Sequence, residues 1–254
     1  MNWSDQAVEL QKLFTNDGYL FIQQALSPDF LGEVQGNVGR FIREIVPTLS
    51  REQVYYEQLK NCSTIKQIPH MNRHDDYFDR FQKQGPLYDL AEVLLDAPVR
   101  PNGVQYFNKP SGVGQPTPPH QDGYYFMLTP CDALTVWLPL EDVDKENGCV
   151  SYIQGSHRQG MRLHGKTETL GFSQGITDYG PEDQALEVAV PAKPGDLLVH
   201  HALTIHGAGG NYSETRTREA LGLVYFAQHA REDTAAQEAY QQKLTEERIA
   251  AGKL

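Results

Sequence analysis

His120-Gln121-Asp122 is the segment of this chain whose residue types and spacing point most directly to chemistry. In an extended chain, residues two apart project to the same side. An imidazole and a carboxylate in that relation can grip one cation. A second imidazole would complete a two-histidine, one-carboxylate face, the ligand set of mononuclear non-haem iron(II) oxygenases. The logic is coordination number. Iron(II) takes six ligands, so three protein ligands on one face leave three positions for a bidentate 2-oxo acid and for O2. Four protein ligands would close the metal and suit structure rather than catalysis.

Candidates for the second imidazole lie downstream. Pro194-Gly195-Asp196 is a turn feeding an apolar strand, and the strand leads to His206-Gly207-Ala208-Gly209-Gly210-Asn211. A histidine beside glycines leaves backbone room for a ligand to approach. His200 and His201 also qualify by type, but within a strand they read as hydrogen-bonded core histidines. His157, in Gly155-Ser156-His157, reads as a turn residue. Arg218 precedes the apolar run from Ala220 to Val224. A guanidinium projecting into a barrel there can bind a carboxylate in bidentate fashion.

These residues need a scaffold. From Val99 onward, short β-like runs alternate with Gly, Pro and Asn clusters: Val104–Asn108, Tyr124–Leu128, Ala133–Leu140, Cys149–Ile153, Leu186–Val190, Asp196–His200 and Ala220–Phe226. That pattern predicts a β sandwich or barrel. Ahead of it, Ser4 and Asp5 are candidate caps for a helix carrying Val8, Leu10, Leu13 and Phe14, which Gly18 breaks. Tyr19–Ile22 reads as a strand. Ser27-Pro28-Asp29 starts an amphipathic helix through Ile45 that Pro47 ends. Pro86–Leu95 reads as another helix. Leu163–Pro181 is rich in glycine and too long for an ordinary connection, so it reads as a lid. The tail from Arg231 reads as helical. Residues 1–254 form one predicted domain: helical support to about residue 98, a β core from 99 to 228, and a helical tail from 229.

Several segments together resemble the phytanoyl-CoA dioxygenase family of 2-oxoglutarate oxygenases. They are Asp17-Gly18-Tyr19-Leu20, Asn108-Lys109-Pro110, His120-Gln121-Asp122, Trp137-Leu138-Pro139-Leu140, Glu146-Asn147-Gly148-Cys149, Gly155-Ser156-His157, Pro194-Gly195-Asp196 and the stretch from His206 to Asn211. The resemblance covers about Leu10 to Phe226. It implies a mainly β fold with flanking helices, the double-stranded β-helix or cupin-like jelly roll. It implies iron ligands His120, Asp122 and His206, and Arg218 pairing with the distal carboxylate of 2-oxoglutarate. Trp137, Gln105 and Lys66 fall where the family places further co-substrate contacts. Two features depart from the pattern. Arg216 and Arg218 straddle the usual spacing from the distal histidine, and Arg218 is preferred because Glu219-Ala220-Leu221 continues the pattern after it. Ala208 stands where the family often has serine.

The expected activity is therefore Fe(II)- and 2-oxoglutarate-dependent hydroxylation of a small organic metabolite by O2, releasing succinate and CO2. Asp122 favours hydroxylation over halogenation, because related halogenases carry a small residue there. Two alternatives share the barrel: a metal-dependent hydrolase and a catalytically silent ligand-binding protein. The loop residues His70, Arg73, His74, Arg162, His164 and Lys166 are candidate substrate contacts, and Tyr124 and Phe126 candidate pocket walls.

The 254 residues carry 22 Lys and Arg against 33 Asp and Glu, a net charge of −11. No basic stretch suggests a nucleic-acid partner, and no apolar run is long enough to span a membrane. The first ten residues lack a secretory signal, so a cytoplasmic location is expected. Cys62, Cys131 and Cys149 form no paired motif and read as free thiols.

Overall fold

A computed structural model of the chain describes residues 3–59 and 61–250. Helix α1 (Ala7–Asp17) ends where Gly18 adopts φ 77°, donating its amide to Phe14 O. A short 3-10 turn, Ser4–Gln6, precedes it, so Ser4 and Asp5 do not cap α1, and no side chain does. Strand β1 (Tyr19–Ile22) leads to α2 (Pro28–Arg40), where the Ser27 side chain accepts the Phe30 amide. Then come β2 (Tyr55–Tyr56), β3 (Ile65–Ile68), α3 (Asp76–Lys83) and α4 (Pro86–Leu95).

The β-rich part begins with β4 (Val99–Phe107) and β5 (Thr117–His120). It continues through α5 (Gly123–Phe126), β6 (Leu128–Thr129), β7 (Ala133–Pro139), β8 (Val150–Ile153), β9 (His164–Lys166), β10 (Gln174–Ile176) and α6 (Pro181–Ala185). It closes with β11 (Glu187–Val190), β12 (Leu197–His201), β13 (His206–Ala208), β14 (Ala220–Ala227), β15 (Arg231–Glu232) and α7 (Thr234–Ala250).

Two antiparallel sheets dominate. The major sheet runs β1-β12-β7-β14-β4-β3-β2, the minor one β11-β8-β13-β5. This is the expected mainly β jelly roll with flanking helices. Period two divides the labour of the major strands. Leu134, Val136 and Leu138 of β7, Leu197 and Val199 of β12, and Leu221, Leu223 and Tyr225 of β14 join one buried cluster with Leu31, Val34 and Val38 of α2 and Leu87, Leu90 and Leu94 of α4. Each such Leu or Val contributes about 1.5–3 kcal/mol when fully buried. The alternate residues, Thr135, Trp137 and His200, face a cavity on the other side. The helices thus hold the major sheet from behind and leave its inner face free for polar side chains.

Three local expectations change. Of the expected strand Tyr124–Leu128, only Leu128 enters one, at the start of β6. The chain turns helical at Asp122, whose carbonyl accepts the Tyr125 amide at 2.9 Å, and Phe126 packs on Phe226 at 5.0 Å between ring centres. Tertiary packing overrides the β propensity of the aromatic run. Second, β2 and β3 extend the major sheet from the region read as helical support. All four residues of β3 are buried, so no alternation betrays it. Third, Leu163–Pro181 contains a hairpin, β9 with β10. Among the described residues, no helix is long and apolar enough to cross a membrane.

Candidate active site

The cavity lies between the two sheets. His120 ends β5, an edge strand of the minor sheet, where Pro118 and Pro119 are tolerated because an edge strand can forgo amide donors. His206 opens β13 and pairs directly with His120 across the ladder. Each ring is fixed from behind. His120 Nδ1 lies 2.9 Å from Pro118 O, and His206 Nδ1 lies 3.0 Å from Thr204 O. A carbonyl only accepts, so each Nδ1 carries the proton and each Nε2 presents its lone pair inward.

Asp122 meets them from the position just before α5, with helical backbone angles, not from an extended strand. Its Oδ1 is 3.4 Å from His120 Nε2 and 3.7 Å from His206 Nε2. The ligand atoms of all three residues lie within 4.8 Å of one another. Ligands about 2.1 Å from a shared ion at right angles stand about 3 Å apart, so small side-chain adjustments accommodate one. Burial alone would raise the Asp122 carboxyl, but the adjoining His206, His120 and His200 rings outweigh it and hold the group well below the usual carboxylate range. Burial, then the neighbouring His200 and His120, pushes His206 well below an ordinary histidine. A carboxylate beside neutral imidazoles is the form in which such a set binds a metal.

The rest of the cavity suits an anion. Lys66, Lys109, Trp137 and Arg218 are among its walls. Arg218 is 4% exposed, and its guanidinium carbon sits 5.5 Å from the Trp137 ring centre. Its Nε has no hydrogen-bond partner among the described residues. Burial lowers its pKa to about 10, still a cation at neutral pH. Arg216, by contrast, is tied to Asp144 at 2.8 Å and to Glu146. The structure thus separates two arginines that the sequence left side by side.

Lys66 lies buried on β3, 3.1 Å from Glu57 Oε1. Lys109 donates to Gln115 O at 2.5 Å and to Thr117 Oγ1 at 3.2 Å. Burial, then Arg218 and Lys66, pushes its pKa well below the usual lysine range. Gln105 is not among the cavity walls, and its amide oxygen accepts from Gln67 Nε2 at 2.9 Å. Ala208 faces the cavity opposite Thr117 in the strand pair.

The hairpin covers the mouth. Phe172 on it packs against His120, with ring centres 5.0 Å apart, and against Phe107 at 6.2 Å. Gln121 pegs its root: its side chain donates to Gly160 O and Leu203 O and accepts the Arg162 amide. Arg162 is bound to Asp178 and Asp183, and His164 accepts the Gln121 amide and stacks on Tyr124 at 4.5 Å. His74 pairs with Gln53, and His70 packs by Gly103, so neither lines the cavity. His157 binds Thr15 O, a turn role. All three cysteines are free. Sequence reasoning missed Thr135, Glu57, Lys109 and Phe172 as cavity residues. Only Lys109 carried a signal, within Asn108-Lys109-Pro110.

Comparison with known proteins agrees with this geometry. The sequence profile of the phytanoyl-CoA dioxygenase (PhyH) family matches residues 14–220. The chain is 27% identical over 221 residues to a probable alpha-ketoglutarate-dependent hypophosphite dioxygenase of Stutzerimonas stutzeri, covering 84% of this chain and 76% of that protein. It is 24% identical over 221 residues to the peroxisomal phytanoyl-CoA dioxygenase of Mus musculus, covering 82% of this chain but only 64% of the mouse protein's length. The fold resembles the epimerase SnoN, solved with Fe3+, alpha ketoglutarate and nogalamycin RO. The TM-score is 0.70 at 24% identity, over 90% of this chain and 86% of that one. The chain belongs to the phytanoyl-CoA dioxygenase family, and with it to the iron- and 2-oxoglutarate-dependent dioxygenases.

Proposed function

We propose that the protein hydroxylates an unactivated C–H bond of a small polar metabolite, with His120, Asp122 and His206 as the iron ligands and Arg218 as the anchor of 2-oxoglutarate. The observation that carries this reading is the coexistence, in one cavity, of the three converging ligand atoms and a buried arginine whose Nε is unpartnered. The donor set suits iron(II), and the lone guanidinium suits the distal carboxylate of a 2-oxo diacid.

When bound, iron and 2-oxoglutarate supply the oxidising chemistry, coupling O2 reduction and loss of CO2 to attack on the substrate. The chain's residues do the positioning. Pro118 O and Thr204 O keep both Nε2 atoms aimed at the ion. Arg218, backed by Trp137, fixes the co-substrate's far end, with Lys66 as a further contact. Phe107 and Phe172 exclude water from the mouth. The polar groups of Lys66, Lys109 and Glu57 in the walls support a small polar, amino-acid-like substrate. Glu57, the other cavity carboxylate, is held by Lys66 and by the Gln115 amide, which argues against its service as the base of a hydrolase.

The test is turnover against a metabolite library with Fe(II), 2-oxoglutarate and O2. The expected result is succinate together with a product heavier by one oxygen atom, derived from O2. Metal-dependent hydrolysis without succinate, or a product that gains no oxygen, overturns it.

A further inference from the structure

Asp122 offers two carboxylate oxygens, and the structure treats them differently. Oδ1 faces the Nε2 atoms of His120 and His206. Oδ2 faces away from them, toward the major sheet. There it receives the Thr135 hydroxyl at 2.6 Å and His200 Nε2 at 3.2 Å. Thr135 on β7 and His200 on β12 are direct partners in the strand register, so the two donors stand side by side on the inner face of the sheet. The His200 ring is 2% exposed, and its other nitrogen is occupied by the Tyr152 hydroxyl at 3.1 Å. A carboxylate only accepts, so the nitrogen toward Asp122 bears the proton and Tyr152 donates to Nδ1. Tyr152 is itself fully buried and stacked on Tyr19, with ring centres 4.5 Å apart.

We infer that Thr135 and His200 form a two-donor clamp that keeps Asp122 a one-oxygen ligand of the metal. A free carboxylate readily swings its second oxygen onto a cation. That would occupy a position the co-substrate or O2 must use. With Oδ2 already holding two hydrogen bonds, rotation onto the metal breaks both inside a buried site, where unmade hydrogen bonds are costly. His200 and Thr135 are thus positioning residues acting through Asp122, and His200, an imidazole beside the ligand set, does not coordinate. The inference rests on the metal-centre reading above, and its test separates the two.

Co(II) replaces iron as the probe, because its visible absorption reports coordination number and its binding can be titrated without turnover. The variants are His200→Phe, His200→Gln, Thr135→Val, and Thr135→Val with His200→Phe. Loss of metal-site support of this kind costs about 10–100-fold in affinity. His200→Phe and Thr135→Val should each weaken Co(II) about tenfold, and the double variant toward a hundredfold. Their visible spectra should differ from the parent's before 2-oxoglutarate is added, because the released oxygen of Asp122 then replaces a solvent ligand. His200→Gln, whose side-chain N–H reaches the same place, should stay within about threefold of the parent. Should the phenylalanine variants fail to fold, Thr135→Val, nearly isosteric, decides alone. Unchanged affinity and spectrum in Thr135→Val, or equal losses in His200→Gln and His200→Phe, overturn the clamp. Failure of the parent protein to bind Co(II) overturns the metal centre itself.

Discussion

His120 and His206 oppose each other across a single strand pairing, their ring centres 4.2 Å apart, although 86 residues separate them in the chain. The ladder sets that distance, and the carbonyls of Pro118 and Thr204 set the ring orientations. The metal face is therefore built by backbone register, with Asp122 delivered from the adjoining helical turn.

Asp122→Ala removes the sole carboxylate of the face. Metal affinity and succinate formation should both fall below detection, and the thermal midpoint should fall modestly, because the Thr135 hydroxyl and the His200 N–H lose their acceptor. Calorimetric titration with Fe(II) under argon, beside a melting curve, checks both. Full activity in this variant refutes its role as a ligand.

Arg218→Ala should raise the KM for 2-oxoglutarate about a hundredfold, the worth of a buried bidentate ion pair of about 3 kcal/mol. Arg218→Lys, with a point charge in place of a fork, should recover about tenfold of that. Arg216→Ala, altering a partly exposed group engaged by Asp144 and Glu146, should leave this KM unchanged within about twofold. Equal losses in the two alanine variants would remove the anchor assignment.

Phe172→Ala strips the ring that covers His120. Substrate KM should rise roughly 5–30-fold, matching about 1–2 kcal/mol of lost apolar contact. More 2-oxoglutarate should be consumed per substrate oxidised. A succinate-to-product ratio equal to the parent's would show that the hairpin does not seal the site.

Burial, then Arg73 and His74, lowers His70 from 6.5 to about 4. The unfolded chain therefore binds this proton more readily than the folded one. The stabilisation is complete above about pH 6.5 and drains away as pH falls toward about 4. His201, also lowered to about 4 by burial first, adds to the same slope. His70→Asn keeps a residue that tolerates the left-handed backbone at φ 54° and removes one titrating group. Its denaturation midpoint should depend less steeply on pH between 6.5 and 4 than the parent's. An identical slope would exclude His70 as a contributor.

Much of this protein is local and could be read along the chain. The stop at Gly18, the start at Ser27-Pro28, the helix Pro86–Leu95 and most core strands follow from turn chemistry and apolar spacing, which act over a few residues. The HxD unit and a histidine beside glycines were each legible as residue types at short spacing, whereas their meeting at one ion was implied only by family likeness.

What the tertiary structure alone decided depends on which strands become neighbours. Residue type does not distinguish Arg216 from Arg218; burial beside Trp137 does. Gln105 falls where family likeness expects a co-substrate contact, yet its amide turns to Gln67. Nothing near Thr135 or His200 in sequence hints at Asp122, because their meeting is fixed by the β7–β12 register and by the helical turn that replaces an expected strand. Short-range preferences along one polypeptide carry no record of such long-range juxtapositions, which exist only once the sheets have closed around the cavity.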